Sequence, residues 1–251
     1  CGAKDEEKAP EGSQATSPSV ETAEKAGNSD LVSDGVIDIG TSADFPPYEF
    51  YEGEEIVGID PDLAKEIGDK LGLEVKFHDM DFSAIVASVE SGKLDVGMAG
   101  LTITDERKKQ VNFSDTYAKS VQKVLVKKDS DIKKIEDLDG KKIGTQLGTT
   151  GDIYAQDDFG EENVQAFTKY ADAVLALQNG KIDAILLDEQ TANKFNDANE
   201  DLNILETSYA EEEYAIAITK DNEKLLEEVN NLIKELKDSG KLDEIIGNYI
   251  K

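Results

Sequence analysis

One cysteine in 251 residues, at position 1, rules out an internal disulfide. One histidine and that single cysteine leave no Cys/His nucleophilic pair and no cluster with metal-ligand spacing, so neither metal nor cofactor is expected. No stretch approaches the roughly 20 consecutive apolar residues of a membrane-spanning helix. Basic residues are scarce: 27 Lys and Arg stand against 55 Asp and Glu, a net charge of −28. That balance argues against nucleic acid and against electrostatic docking on anionic lipid. The plain reading of so much acid is a solvated surface. What remains is long enough for one large or two small cores.

Residues 1–34 lack Phe, Tyr and Trp and carry eight acids against three lysines. Such a composition cannot offset the entropy of folding and reads as a disordered spacer. A Cys1-Gly2 start resembles a mature bacterial lipoprotein after removal of a signal peptide. Lipid on Cys1 is therefore expected, with the spacer holding a folded body off the extracytoplasmic face of a cell membrane. More than one acyl chain is needed for stable attachment.

From Val36 a strand–helix rhythm begins. "VIDIG" (36–40) alternates as a strand and runs into the Pro- and aromatic-rich "TSADFPPYEF". "DPDLAKEIGDKLG" (60–72) reads as a helix with Asp60 as N-cap, Pro61 in the first turn and Gly72 after its end. Leu63, Ile67 and Leu71 share one face. A strand (73–77), a helix (81–93) and a strand (94–100) complete a βαβαβ unit. The rhythm returns as strand then loop (141–148), helix, strand (163–167), helix (170–181) and strand (182–188). An offset of 88 residues aligns "SGKLDV" with "NGKIDA", Phe82 with Tyr170, and Gly100 with Asp188. Two similar α/β lobes account for it most simply. Extended segments 121–128 and 213–220 carry the chain out and back. A helix over 222–240 and a last helix return to the first lobe.

The blocks "TSADFPPYEF", "GIDPDLAKEI", "AGLTITDERKKQVNFSDTY", "GKKIGTQLGTTGD" and "KIDAILLD", in that order, resemble the solute-binding proteins of polar amino-acid ABC transporters (extracellular solute-binding family 3). The resemblance covers about residues 35–251. It implies a two-lobe, type II periplasmic-binding-protein fold: an α/β protein of two doubly wound lobes joined by two hinge strands. Lobe 1 is then 35–119 plus 213–251, and lobe 2 is 120–212. It further implies a monomer that closes on one free L-amino acid and delivers it to an ABC permease and ATPase complex.

Ligands in open α/β sheets bind beyond the carboxyl ends of strands, where Gly100 and Asp188 fall. By the resemblance, Arg107 forks onto the ligand carboxylate, as a planar guanidinium does best, aided by Thr102 and by the helix start at Thr149 and Thr150. The Gly100 carbonyl, the Thr102 hydroxyl and the Asp188 carboxylate take the ammonium, with Ala99 beside them. Phe45 and Phe82 cover the side chain, one on each side. Ser42, Asp44 and Gln146 belong to the side-chain end. Singly, each residue has a plainer reading: Arg107 in "DERKK" as solvated surface, Asp188 and Thr149 as helix caps, the phenylalanines as core. Relatives that prefer cations often carry an acid at position 42, where this chain has Ser42. No Lys or Arg is evident at that end, so glutamate and aspartate are disfavoured; glutamine and arginine are favoured. His78 has no evident role.

Two other classes were weighed. A lyase-type enzyme on this fold needs site chemistry that the sequence does not display. A ligand-sensing module for a separate receptor differs from a transport protein only in its partner.

Overall fold

The computed structural model describes residues 30–251. The expected lipid on Cys1 and most of the expected spacer lie outside the described residues. The packed body begins earlier than the sequence boundary at 34/35. Leu31 and Val32 are buried, and the Leu31 carbonyl accepts a hydrogen bond from the Asn222 side chain at 2.6 Å. The two apolar residues at the end of an otherwise polar stretch supply the anchor.

Strand β1 (Val36–Thr41) opens the first lobe. A three-stranded flap follows, β2 (Asp44–Phe45), β3 (Glu49–Glu52) and β4 (Glu55–Val57), where the sequence reads only as loop. Helix α1 (Ile59–Leu71) comes next. Its N-cap is Gly58, not Asp60; Ile59 and Asp60 donate their backbone N–H groups to the Pro47 and Tyr48 carbonyls. Carbonyls of the preceding loop thus satisfy donors that a capping side chain would otherwise take, and Asp60 is drawn inside as a fully buried residue. Gly72 closes the helix in the left-handed conformation, as expected. Strand β5 (Glu74–Asp79), helix α2 (Phe82–Glu90) and strand β6 (Val96–Thr102) complete the unit. A short helix α3 (Asp105–Gln110) and strand β7 (Asn112–Phe113) follow.

The long strand β8 (Ala118–Lys127) crosses to the second lobe. There β9 (Ile143–Gln146), α4 (Thr150–Phe159), β10 (Val164–Phe167), α5 (Tyr170–Gln178), β11 (Ala184–Asp188), α6 (Glu189–Ala198) and β12 (Leu202–Ile204) repeat the pattern. Strand β13 (Ala210–Ile218) brings the chain back, and α7 (Glu223–Asp238) and α8 (Lys241–Gly247) pack on the first lobe.

The main sheet runs β10-β9-β11-β8-β13-β6-β1-β5, with β12 beside β8 and β7 beside β13. Its two ends are parallel triplets, β6-β1-β5 and β11-β9-β10. Antiparallel β8 and β13 join them in the middle. Leu63, Ile67 and Leu71 of α1 and Leu225, Val229, Leu232, Ile233 and Leu236 of α7 are buried on the first lobe. A separate cluster around Val126, Ile143 and Leu186 fills the second. Full burial of each such side chain contributes about 1.5–3 kcal/mol. The carboxyl ends of β1, β6, β9 and β11 all open on one cleft, lined by residues at or just beyond them.

Candidate functional site

The cleft, together with the solvent space at its mouth, takes in about 380 Å³. Ser42, Phe45, Phe82, Ala99, Gly100, Thr102, Arg107, Gln146, Thr149, Thr150 and Asp188 all line it. Eleven of the twelve residues singled out in the sequence are therefore brought together.

Arg107 sits in the first turn of α3. The Thr104 hydroxyl caps that turn by accepting the Arg107 backbone N–H at 3.1 Å, and Asp105 and Glu106 suit the helix start. The guanidinium turns inward from this charged segment and is 8% exposed. It donates to the Thr102 carbonyl at 2.6 Å and, across the cleft, to the Gly148 carbonyl at 3.1 Å. Its central carbon lies 5.5 Å from the Phe82 ring centroid. Burial pulls the guanidinium down from its ordinary value, and the Glu212 carboxylate opposes the shift. Arg107 is the only arginine in the chain, so no other side chain offers a planar fork to a carboxylate.

Asp188 ends β11 and caps α6. One carboxylate oxygen accepts the backbone N–H groups of Gln190 and Thr191 at 2.8 and 3.1 Å. The other accepts the hydroxyls of Tyr214 at 2.6 Å, Tyr48 at 3.2 Å and Ser120. Asp188 is thus a helix cap, one of its two sequence readings, and it also lines the cleft, where the other reading needs it. Burial raises its pKa, and these hydrogen bonds counter the rise.

Two glycines are required by geometry. Gly100 has φ +59°, and a Cβ there would meet the Phe45 ring at 2.4 Å. Gly148 has φ +83°, and a Cβ would press on Ser83 of the other lobe at 3.2 Å. Thr149 caps α4 by accepting the Asp152 N–H at 3.1 Å, leaving Thr150 at the helix start inside the cleft.

Asp44 is the residue the structure moves. It does not line the cleft with the others. Its carboxylate accepts from the Tyr170 backbone N–H at 2.8 Å, the Ser42 hydroxyl at 3.0 Å and the Gln146 amide at 3.3 Å. It is thus a tie between the lobes, next to the hydrogen bond from the Thr191 hydroxyl to the Pro46 carbonyl at 2.7 Å. Burial raises the Asp44 pKa. Gln146 donates to this tie and to the Thr168 carbonyl at 3.1 Å, which leaves its side-chain oxygen as the free acceptor.

Five lining residues were not singled out: Glu49, Gln122, Tyr170, Glu212 and Tyr214. Tyr170 was signalled by its alignment with Phe82 in the internal repeat. Gln122 and Glu212 lie on β8 and β13, which read as connectors; a buried polar residue in an apolar strand was the available signal. The Glu212 carboxylate accepts from Gln122 at 2.9 Å, Thr102 at 3.1 Å and Tyr154 at 2.9 Å. The rings of Phe45, Tyr48, Tyr170 and Tyr214 form one group, with Phe45 stacked on Tyr48 at 4.8 Å and on Tyr170 at 6.0 Å. His78, outside the site, pairs with Asp38 on the adjacent strand at 2.8 Å.

Residues 37–251 match the family described as bacterial extracellular solute-binding proteins, family 3. The chain is 36% identical over 217 residues to the arginine-binding extracellular protein ArtP of Bacillus subtilis, covering 82% of this chain and 83% of that protein. Among solved structures, a P235GK mutant of ArgBP from T. maritima superposes with a TM-score of 0.83 at 45% identity, over 88% of this chain and 97% of the other. An ancestral arginine-binding protein bound to glutamine gives 0.82 at 40% identity, over 86% and 98%.

Proposed function

Since the chain belongs to the bacterial extracellular solute-binding proteins of family 3, we propose that it captures a free polar or basic L-amino acid, arginine before glutamine, and presents it to an ABC permease and ATPase complex. One observation carries the choice of ligand. The single arginine of the chain is buried in a cleft that holds no second cation among the described residues, and whose acids facing ligand, Asp188 and Glu212, come from different strands. Arg107 takes the ligand carboxylate and Asp188 the ammonium. The acceptor oxygen of Gln146 and the faces of Phe45 and Phe82 suit a guanidinium. An acidic side chain meets no cation there and is rejected. Because the lining comes from both lobes, ligand bridges them and favours the closed arrangement.

The binding role, rather than an enzymatic one, is part of this proposal and is supported by the family. Attachment through lipid on Cys1 is a separate proposal, supported only by the small, polar composition of residues 1–34.

The test is a thermal-shift panel of the common amino acids on the full chain after unfolding and refolding to strip bound ligand. A folded-state ligand raises the melting temperature. Arginine should give the largest shift, glutamine a smaller one and glutamate none. Absence of a shift with every amino acid would overturn the reading.

A further inference from the structure

Glu49 and Asp60 are two fully buried acids that ligand capture does not use. Glu49 lies on the flap strand β3 and lines the cleft; Asp60 lies in the first turn of α1. The Tyr117 hydroxyl donates to one Asp60 oxygen at 2.6 Å. The second Asp60 oxygen and both Glu49 oxygens have no donor among the described residues. Three orphaned carboxyl oxygens in one place are costly unless something supplies a hydrogen.

Three suppliers are conceivable, and two fail. Among the described residues no cation is bonded to either acid: the Asp60 carboxyl accepts only the Tyr117 hydroxyl and the Glu49 carboxyl has no partner. A metal is disfavoured, since no group of three or more His, Cys, Asp or Glu among the described residues is placed to hold one. A proton remains. The two carboxyls are neighbours: the Asp60 N–H is bonded to the carbonyl of Tyr48, the residue before Glu49, at 2.9 Å, and each acts on the other. Like charges on neighbouring groups in a buried site cannot both stay ionised.

We propose that Glu49 and Asp60 share a single proton, Glu49 neutral and donating its O–H to an ionised Asp60, and that this pair holds the flap and its Phe45 ring in the lining of the cleft. Asp60 already accepts the Tyr117 O–H, whereas neither Glu49 oxygen has a donor among the described residues, so the charge is better borne by Asp60 and the proton by Glu49; burial, which raises the pKa of both groups, is in keeping with a retained proton. Glu49 pairs with Phe45 across the flap, so a bond that fixes Glu49 also fixes the ring that lines the cleft. Glu49 and Asp60 are positioning residues, acting on ligand through Phe45.

The experiment has two arms on the full chain. Infrared spectroscopy at neutral pH reads the carbonyl stretch of a protonated carboxyl; the band should be present in the wild type and missing in Glu49→Gln. This arm needs no ligand. The second arm rests on the amino-acid-binding reading and measures arginine affinity by calorimetry. Glu49→Gln imitates the neutral donor and should keep affinity within about twofold, whereas Asp60→Ala should weaken it about tenfold or more by releasing the flap. A folded wild type without the band overturns the shared proton. Glu49→Gln losing as much affinity as Asp60→Ala, or Asp60→Ala losing none, overturns the positioning role. If Asp60→Ala does not fold, the band and Glu49→Gln decide. Arginine failing to bind while the band persists sinks the ligand reading and leaves the shared proton standing.

Discussion

Arg107 and Asp188 are the two charged poles of the cleft, and their surroundings differ. Arg107 engages two backbone carbonyls, Thr102 and Gly148. A guanidinium carries five N–H donors, so three are left for a ligand carboxylate. Asp188 already accepts five donors, two backbone N–H groups and three hydroxyls. The cationic pole has donors to spare, while the anionic pole is already occupied and, on the proposed reading, exchanges a hydroxyl for the ligand ammonium. Most of the difference comes from local structure. Arg107 reaches in from the short surface helix α3 and meets only main chain and a ring. Asp188 sits at a strand end beside two crossing strands, and it must also cap α6.

The largest break in this comparison comes at the unsaturated pole. Arg107→Ala should weaken arginine binding by about 100-fold or more, roughly 3 kcal/mol, because it removes a buried, charge-assisted partner. Calorimetry near wild-type affinity would show that the carboxylate is held elsewhere. Asp188→Asn should cost somewhat less, about 2–3 kcal/mol. Asn is as good an N-cap as Asp, so the melting temperature of the ligand-free protein should stay within a few degrees. A large thermal loss with intact affinity would make Asp188 a cap alone.

A smaller and sharper change tests whether the anionic pole is saturated. Tyr48→Phe removes the longest of the three hydroxyl contacts to Asp188, at 3.2 Å. It should lower stability by about 1 kcal/mol. Affinity should hold or improve, because one acceptor position is vacated for the ammonium. Affinity reduced along with stability would mean that the Tyr48 hydroxyl belongs to the binding geometry rather than competing with it.

The same contrast explains what could be read from the sequence. The parallel triplets, the helices and the cleft at the strand ends follow from apolar periodicity, and the amphipathic α7 lies almost where its spacing puts it. Arg107, Thr102 and Gly100 were readable because one local block holds them. Glu212, Gln122, Tyr214 and Tyr170 were harder, since nothing local brings them together: they meet only once β8, β13 and β11 pair. Asp44 and Asp60 were misplaced for one reason. Each looked like a local feature, a ligand group and a helix cap, and each was claimed instead by a partner distant in sequence. Asp44 is held by the Tyr170 amide and Asp60 by the Tyr117 hydroxyl. The small flap was missed because its strands are two to four residues long and carry no period.

The smallest expected effect concerns the buried acids as a set. Burial raises the pKa of Asp44, Asp188 and Glu49 in the folded protein. A carboxyl that holds its proton more tightly folded than unfolded favours folding below its unfolded value, near 4. That contribution fades as pH rises through the elevated folded value. The ligand-free melting temperature should therefore fall by a few degrees between about pH 5 and pH 8. Self-repulsion at a net charge of −28 acts in the same direction, so wild type alone does not isolate the effect. Asp44→Asn separates them. It keeps an acceptor for the Tyr170 N–H and leaves nearly all of the surface charge in place, but it removes one buried titrating group. Its melting temperature should fall less steeply with pH than that of the wild type. Parallel curves would assign the slope to surface charge and leave Asp44 as a tie between the lobes whose ionisation costs the fold nothing.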